Sequence, residues 1–192
     1  AGFTPRGLIL REAIESARAA SAVDDIAQVL RRRTCAVGNN VPVSMPRPSS
    51  GPASSVFEYD GRVTLTGGVT VRTPDDAFYQ VCTNHYVRRG TPTPCARYET
   101  IQDRLAGLIA AGKKLDLEGA WALLQAVERG PDGAAPGLLT YQSVVFEPDL
   151  LRLHVALSQG GMPAPRCRRI TLSVDALLAG PAPEAGQGDR GR

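Results

Sequence analysis

Blocks of helical periodicity alternate with blocks of strand-like sequence along this chain, and that alternation constrains its architecture more than any single motif. Leu10, Ala13, Ile14 and Ala17 recur at helical spacing, and Val23, Ile26, Ala27 and Leu30 repeat it after Ser21, a residue suited to an N-cap. Residues 35 to 45 and 53 to 60 then read as extended, separated by a Pro/Ser/Gly loop from Pro46 to Pro52. Val63-Thr64-Leu65-Thr66, Val69-Thr70-Val71 and Phe78 to Cys82 read as strands, with Asp60-Gly61 and Gly67-Gly68 as turns.

After a turn from Pro92 to Pro94, Ile101, Leu105, Leu108 and Ile109 mark a helix ending near Gly112. Leu117, Ala120, Trp121, Leu124 and Val127 mark another, with Asp116 as its cap, and Gly130 to Gly137 is a loop. Tyr141 to Glu147 and Leu151 to Leu157 flank Pro148-Asp149. Leu151, Leu153, Val155 and Leu157 alternate with Arg152, His154 and Ala156, so a hairpin burying the leucine and valine face is expected. The order predicts an α+β fold with helices on antiparallel sheet. The 192 residues suit one folding unit, 1–178, followed by a Gly-, Pro- and charge-rich tail, 179–192.

Charge and composition narrow the function classes. The net charge is only +3 and the basic residues are scattered, apart from Arg31-Arg32-Arg33 and Arg166 to Arg169, so nucleic acid is not an expected partner. The Arg31 to Arg33 run reads as a solvated helix end. No apolar run approaches the roughly 20 residues that cross a bilayer, so no membrane span is expected. Cys35, Cys82, Cys95 and Cys167 lack CxxC spacing and a nearby His cluster; free thiols are expected, and a zinc site is not. The first residue is Ala1, which suggests a processed chain or one cut from something longer.

Two histidines, His85 and His154, limit any triad. His154 reads as a surface or half-buried packing residue. A Cys82/His85 nucleophile pair is geometrically conceivable, although Cys82 within an apolar run reads more simply as a small core residue. Asn84 has another option, because an amide held at a strand end can donate to an oxyanion; its plainer role is a turn residue. Asp24-Asp25 and Asp75-Asp76 read as structural pairs.

Several segments together resemble the isopenicillin N acyltransferase-like group (acyl-coenzyme A:6-aminopenicillanic acid acyltransferase) of cysteine-type N-terminal-nucleophile (Ntn) hydrolases. They are Leu8 to Arg18, Ala36 to Asn40, the Val-Phe-Glu segment ending at Glu58, Val81 to Tyr86 with its Thr-Asn-His, Cys95-Ala-Arg-Tyr98, and Ser143 to Pro148. The resemblance spans residues 7 to about 178. It implies a partial four-layer αββα sandwich lacking its N-terminal nucleophile strand, and acyl transfer or hydrolysis at a non-peptide or small-peptide amide. It further implies Asn84 as the catalytic oxyanion donor, His85 as a residue orienting the turn, and Arg97 and Tyr86 as substrate-binding residues.

The cysteine of such an enzyme uses its own α-amino group as base, so histidine is dispensable and no cofactor or metal is implied. None of the four cysteines aligns with that nucleophile, and Gly137, Leu138 and Leu139 stand where some relatives have an arginine. The implied partners are a small amide or acyl substrate and a companion N-terminal segment or subunit, without which this chain should not hydrolyse amides. Alternatives are a non-catalytic scaffold that kept the fold and an unrelated α+β binding module. The compartment stays open.

Overall fold

The computed structural model describes residues 3–18, 21–45, 54–61, 68–74, 79–89, 95–130 and 138–180. They fall into two compact units, Ala1–Lys114 and Leu115–Arg192, a division that the composition does not mark. The expected Val63 to Thr66 strand, the Pro46 to Pro52 and Pro92 to Pro94 segments, Asp75-Asp76, most of the Gly130 to Gly137 loop and the tail from 181 lie outside the described residues.

The first unit contains α1 (Arg6–Ser16), α2 (Ala22–Arg32), β1 (Asn39–Ser44), β2 (Ser54–Tyr59), β3 (Val69–Arg72) and α3 (Ala96–Ala110). The strands pair antiparallel in the order β1-β2-β3. Pro42 is tolerated in β1 because that strand is an edge, where a missing N–H leaves no ladder bond unmade. On one sheet face, Phe57 and Tyr59 of β2 bury themselves with Ile9, Ala13, Ile26, Ala27, Val29 and Leu30 of the two helices. Each large apolar side chain buried this way contributes about 1.5–3 kcal/mol. The α2 stripe is the one the periodicity predicts, with Val29 added, whereas α1 buries Ile9 and Ala13 and leaves Ile14 exposed.

Ser21 does not cap α2 through its side chain; its hydroxyl donates to Asp25 Oδ2 at 2.8 Å. Asp25 also accepts from Arg18 Nη2 at 2.7 Å and from the Arg18 backbone N–H at 3.1 Å, which latches the turn between α1 and α2. These donors, the Arg18 guanidinium foremost, hold the Asp25 carboxyl well below the usual carboxylate range. A depressed folded value stabilises the fold above the ordinary carboxylate pKa of about 3.9, and that stability drains away as pH falls from there toward the folded value. Asp25→Asn is therefore expected to flatten the acid limb of stability against pH, read by urea unfolding between pH 7 and 2.

Gly61 has φ +75° and gives its carbonyl to the Cys35 N–H at 3.0 Å. A Cβ there would stand 2.5 Å from the Cys35 carbonyl oxygen. Gly61→Ala is expected to cost about 1–3 kcal/mol in urea unfolding, since both backbone conformation and space oppose it.

The second unit contains α4 (Leu117–Ala126), β4 (Gln142–Glu147), β5 (Arg152–Leu157), β6 (Arg169–Ser173) and α5 (Val174–Leu178), with antiparallel order β4-β5-β6. Asp116 caps α4 as expected, accepting from the Gly119 N–H at 2.7 Å. The hairpin is present, but its faces are reversed. His154 and Ala156 are buried, and Leu157 is 54% exposed. The cause is α4: its Trp121 packs with Ala156 and Ala164, where a small residue leaves room for the indole. His154 can be buried because its ring is satisfied, with Nε2 2.6 Å from Glu147 Oε2 and Nδ1 2.9 Å from Thr171 Oγ1. The other face aligns Val144, Val155 and Ile170, and Phe146, Leu153 and Leu172, across the three strands. Val144 and Phe146 are each 42% exposed and Ile170 is 51% exposed, so this apolar face is largely bare.

The α+β class holds. The four-layer αββα sandwich does not appear among the described residues, which show two separate three-stranded sheets. Residues 79 to 83 form no strand, correcting the Phe78 to Cys82 expectation over its described part. Their backbone is engaged by side chains instead of a ladder.

Candidate active site around the Thr-Asn-His turn

The face of the first sheet opposite α1 and α2 grips the segment from Val81 to Arg89. Asn40, Glu58 and Thr70 lie in one row across β1, β2 and β3, because Asn40 pairs with Glu58 and Glu58 with Thr70. Asn40 Nδ2 donates to the carbonyls of Thr83 at 2.6 Å and His85 at 2.7 Å, the residues on either side of Asn84. The Glu58 carboxylate accepts the backbone N–H groups of Val87 at 2.7 Å and of Arg88 and Arg89 at 2.9 Å. Thr70 Oγ1 accepts from Arg89 Nη1 at 3.3 Å, and Arg89 Nη2 donates to Asp60 Oδ2 at 2.6 Å.

Glu58 is fully buried, which a carboxylate tolerates only with charge and donors around it. Arg72, itself buried, supplies the charge, with Nε 2.8 Å from Glu58 Oε1, and its Nη2 donates to the Val81 carbonyl at 3.0 Å. The sequence signal for Glu58 was a lone acid inside Ser-Val-Phe-Glu-Tyr, on the same strand face as Val56. Nothing local in the sequence identifies Asn40 or Arg72 as its companions.

Asn84 sits in a bend and is exposed, while the backbone on both sides of it is held. The Tyr86 hydroxyl donates to the Tyr59 carbonyl at 2.8 Å, and burial pushes its pKa up. Gly38 makes that contact possible, because a Cβ there would come within 2.0 Å of the hydroxyl. In this arrangement Tyr86 anchors the turn. Arg97, half-buried in the first turn of α3, lies beside Cys95 at the helix N-cap.

The turn and the start of α3 meet through two contacts. Thr83 Oγ1 is 3.3 Å from Cys95 Sγ, and the rings of His85 and Tyr98 meet edge to face with centroids 5.1 Å apart. His85 Nδ1 is bonded to Thr83 Oγ1 at 2.9 Å, while burial raises the Cys82 thiol. The geometry thus joins His85 to Cys95 through Thr83, where the sequence had suggested Cys82. Among the described residues all four cysteines are free thiols.

A cavity of about 450 Å³ lies between α1, α2 and β1, lined by Leu10, Ala13, Ile14, Ile26, Val41 and Val43. Most of these side chains belong to the helix-covered side of the sheet; Asn39, Asn40 and Pro42 also line the cavity. Among the described residues no three His, Cys, Asp or Glu side chains converge as a metal site requires, and no helix is long and apolar enough to cross a membrane. No family model, curated protein or solved structure matches this chain.

Proposed function

We propose that this chain forms the C-terminal portion of a cysteine-type Ntn acyltransferase or amidohydrolase acting on a non-peptide or small-peptide amide. Asn84 donates its side-chain amide to the oxyanion of the tetrahedral intermediate. The carrying observation is the clamped turn: Asn40 and Glu58 immobilise the backbone around Asn84 while leaving its side chain exposed. An oxyanion donor is effective because it is already oriented when charge develops, so no reorganisation is charged to the transition state.

The nucleophile in this reading is a cysteine outside these 192 residues, with its own α-amino group as base. Arg97, at the start of α3, is available to a carboxylate-bearing substrate. The bare apolar face of the second sheet supports the layered architecture of the reading, since a sheet face of this kind is normally covered by a further layer about 10 Å away.

Intact mass and N-terminal sequencing of the protein from its natural source, isolated under non-denaturing conditions, test the proposal. A companion or longer chain beginning with cysteine, with thiol-dependent amidase or acyl-transfer activity, is the expected result. A chain that travels alone from Ala1 without such activity overturns the proposal in favour of a non-catalytic scaffold.

A further inference from the structure

The cavity between α1, α2 and β1 is cationic at one end and aliphatic along most of its length. Arg6 and Asn39 meet at the cationic end, where Arg6 Nη1 donates to Asn39 Oδ1 at 2.7 Å and Asn39 Nδ2 donates in turn to the Val37 carbonyl at 2.9 Å. From there α1 continues through Leu10 and Ile14, and β1 through Val41 and Val43. From Arg6 to Ile14 along the helix and from Asn39 to Val43 along the strand, each wall runs about 12–13 Å. Ala13 and Ile26 are the buried members of the lining, and Ala13 is small enough to leave the space open. Charge sets Arg6 apart from its neighbours. Arg11, Arg18 and Arg33, on or beside the same two helices, are matched by Glu15, Asp25 and Glu12, whereas among the described residues no carboxylate pairs with Arg6 and none lines the cavity. The first turn of α1 carries no acidic residue and no side-chain cap, so the helix dipole adds to the attraction for an anion at this end.

We propose that this cavity binds an aliphatic monocarboxylate of medium chain length, with its carboxylate on Arg6 and its chain along Leu10, Ile14, Val41 and Val43. Asn39 holds Nη1 of the guanidinium, which leaves the Nε and Nη2 fork to the two carboxylate oxygens. An extended saturated chain of about ten carbons is about 12 Å long, the length of the walls. The volume of about 450 Å³ falls within the range of small-molecule sites, about 300–1,000 Å³. The Asn40 amide nitrogen is engaged by the Thr83 and His85 carbonyls, so the aliphatic part of the lining offers no free amide to a polar ligand body. This binding does not rest on the acyl-transfer reading, which depends on Asn84.

Isothermal titration calorimetry of the 192-residue chain at pH 7 with butanoate, octanoate, decanoate and hexadecanoate, each kept below its micelle-forming concentration, tests the proposal. Affinity is expected to rise about fourfold per added methylene, the effect of burying one CH₂, and to level off near ten carbons, where the walls end. Decanol should bind about tenfold more weakly than decanoate, because it lacks the charge that Arg6 receives. Arg6→Gln should remove that difference and leave the circular dichroism spectrum unchanged, since Arg6 is exposed. Ala13→Leu, which fills the cavity, should abolish binding. No saturable binding of decanoate, equal affinity for decanol and decanoate, or an affinity that climbs unbroken to hexadecanoate overturns the proposal. The wild-type series decides even if the leucine variant fails to fold.

Discussion

Glu58→Ala is expected to lower the stability of the first unit by about 3–5 kcal/mol, the range for breaking a buried ion pair by removing one partner. The loss has two sources. The substitution leaves Arg72 as an uncompensated buried charge, and it leaves the N–H groups of Val87, Arg88 and Arg89 without the carboxylate that receives them. Against a typical domain stability of about 5–15 kcal/mol, a change of this size removes a large fraction of the margin.

Urea unfolding followed by circular dichroism measures the effect, and a double variant separates its two parts. Glu58→Met with Arg72→Met removes both charges, so it should recover part of the loss. The remainder belongs to the unpaired backbone donors at 87 to 89 and to the Val81 carbonyl that loses Arg72 Nη2. A Glu58→Ala chain within about 0.5 kcal/mol of the wild type, the usual range for surface substitutions, would show that the row across the sheet does not hold the turn.

Asn84→Ala should behave in the opposite way, sparing the fold and removing the chemistry. Because Asn84 is exposed, its truncation should change stability by no more than about 0.5 kcal/mol. In the proposed acyltransferase or amidohydrolase, with its cysteine in place, kcat should fall by about 10²–10³, the effect of removing one oxyanion donor, with KM nearly unchanged. Asn84→Asp should be at least as damaging, since a carboxylate repels the oxyanion it replaces a donor for. Arg97→Ala should instead raise KM for carboxylate-bearing substrates. An unchanged kcat in Asn84→Ala, with activity otherwise intact, refutes the oxyanion role.

The local features legible in the sequence are those set by neighbours a few residues apart. The Val23, Ile26, Ala27 and Leu30 stripe of α2 and the Asp116 cap of α4 depend only on helical spacing and on one side chain reaching a nearby N–H. The same holds for the β4–β5 hairpin, whose pairing brackets Pro148-Asp149. Alternation in β5 showed that two faces differ, yet it could not show which face α4 would cover. That depended on Trp121 finding room beside Ala156 and on His154 finding Glu147 and Thr171.

The candidate site divides along the same line. Thr-Asn-His was visible as a polar cluster, and Asn84, His85 and Arg97 could be singled out from the sequence. Their partners could not, because Asn40 and Thr83 are 43 residues apart and Glu58 and Val87 are 29 apart. The sequence by itself determined the α+β class, the stripe of α2, the Asp116 cap of α4 and the places where polar chemistry concentrates, all consequences of short-range geometry. Only the tertiary structure decided that Glu58 would be fully buried, that the Tyr86 hydroxyl would bond the Tyr59 carbonyl, and that the Cys95 sulfur would come within 3.3 Å of the Thr83 hydroxyl. Those outcomes follow from satisfying buried charge and backbone donors, a condition imposed by whichever segments the sheet brings together.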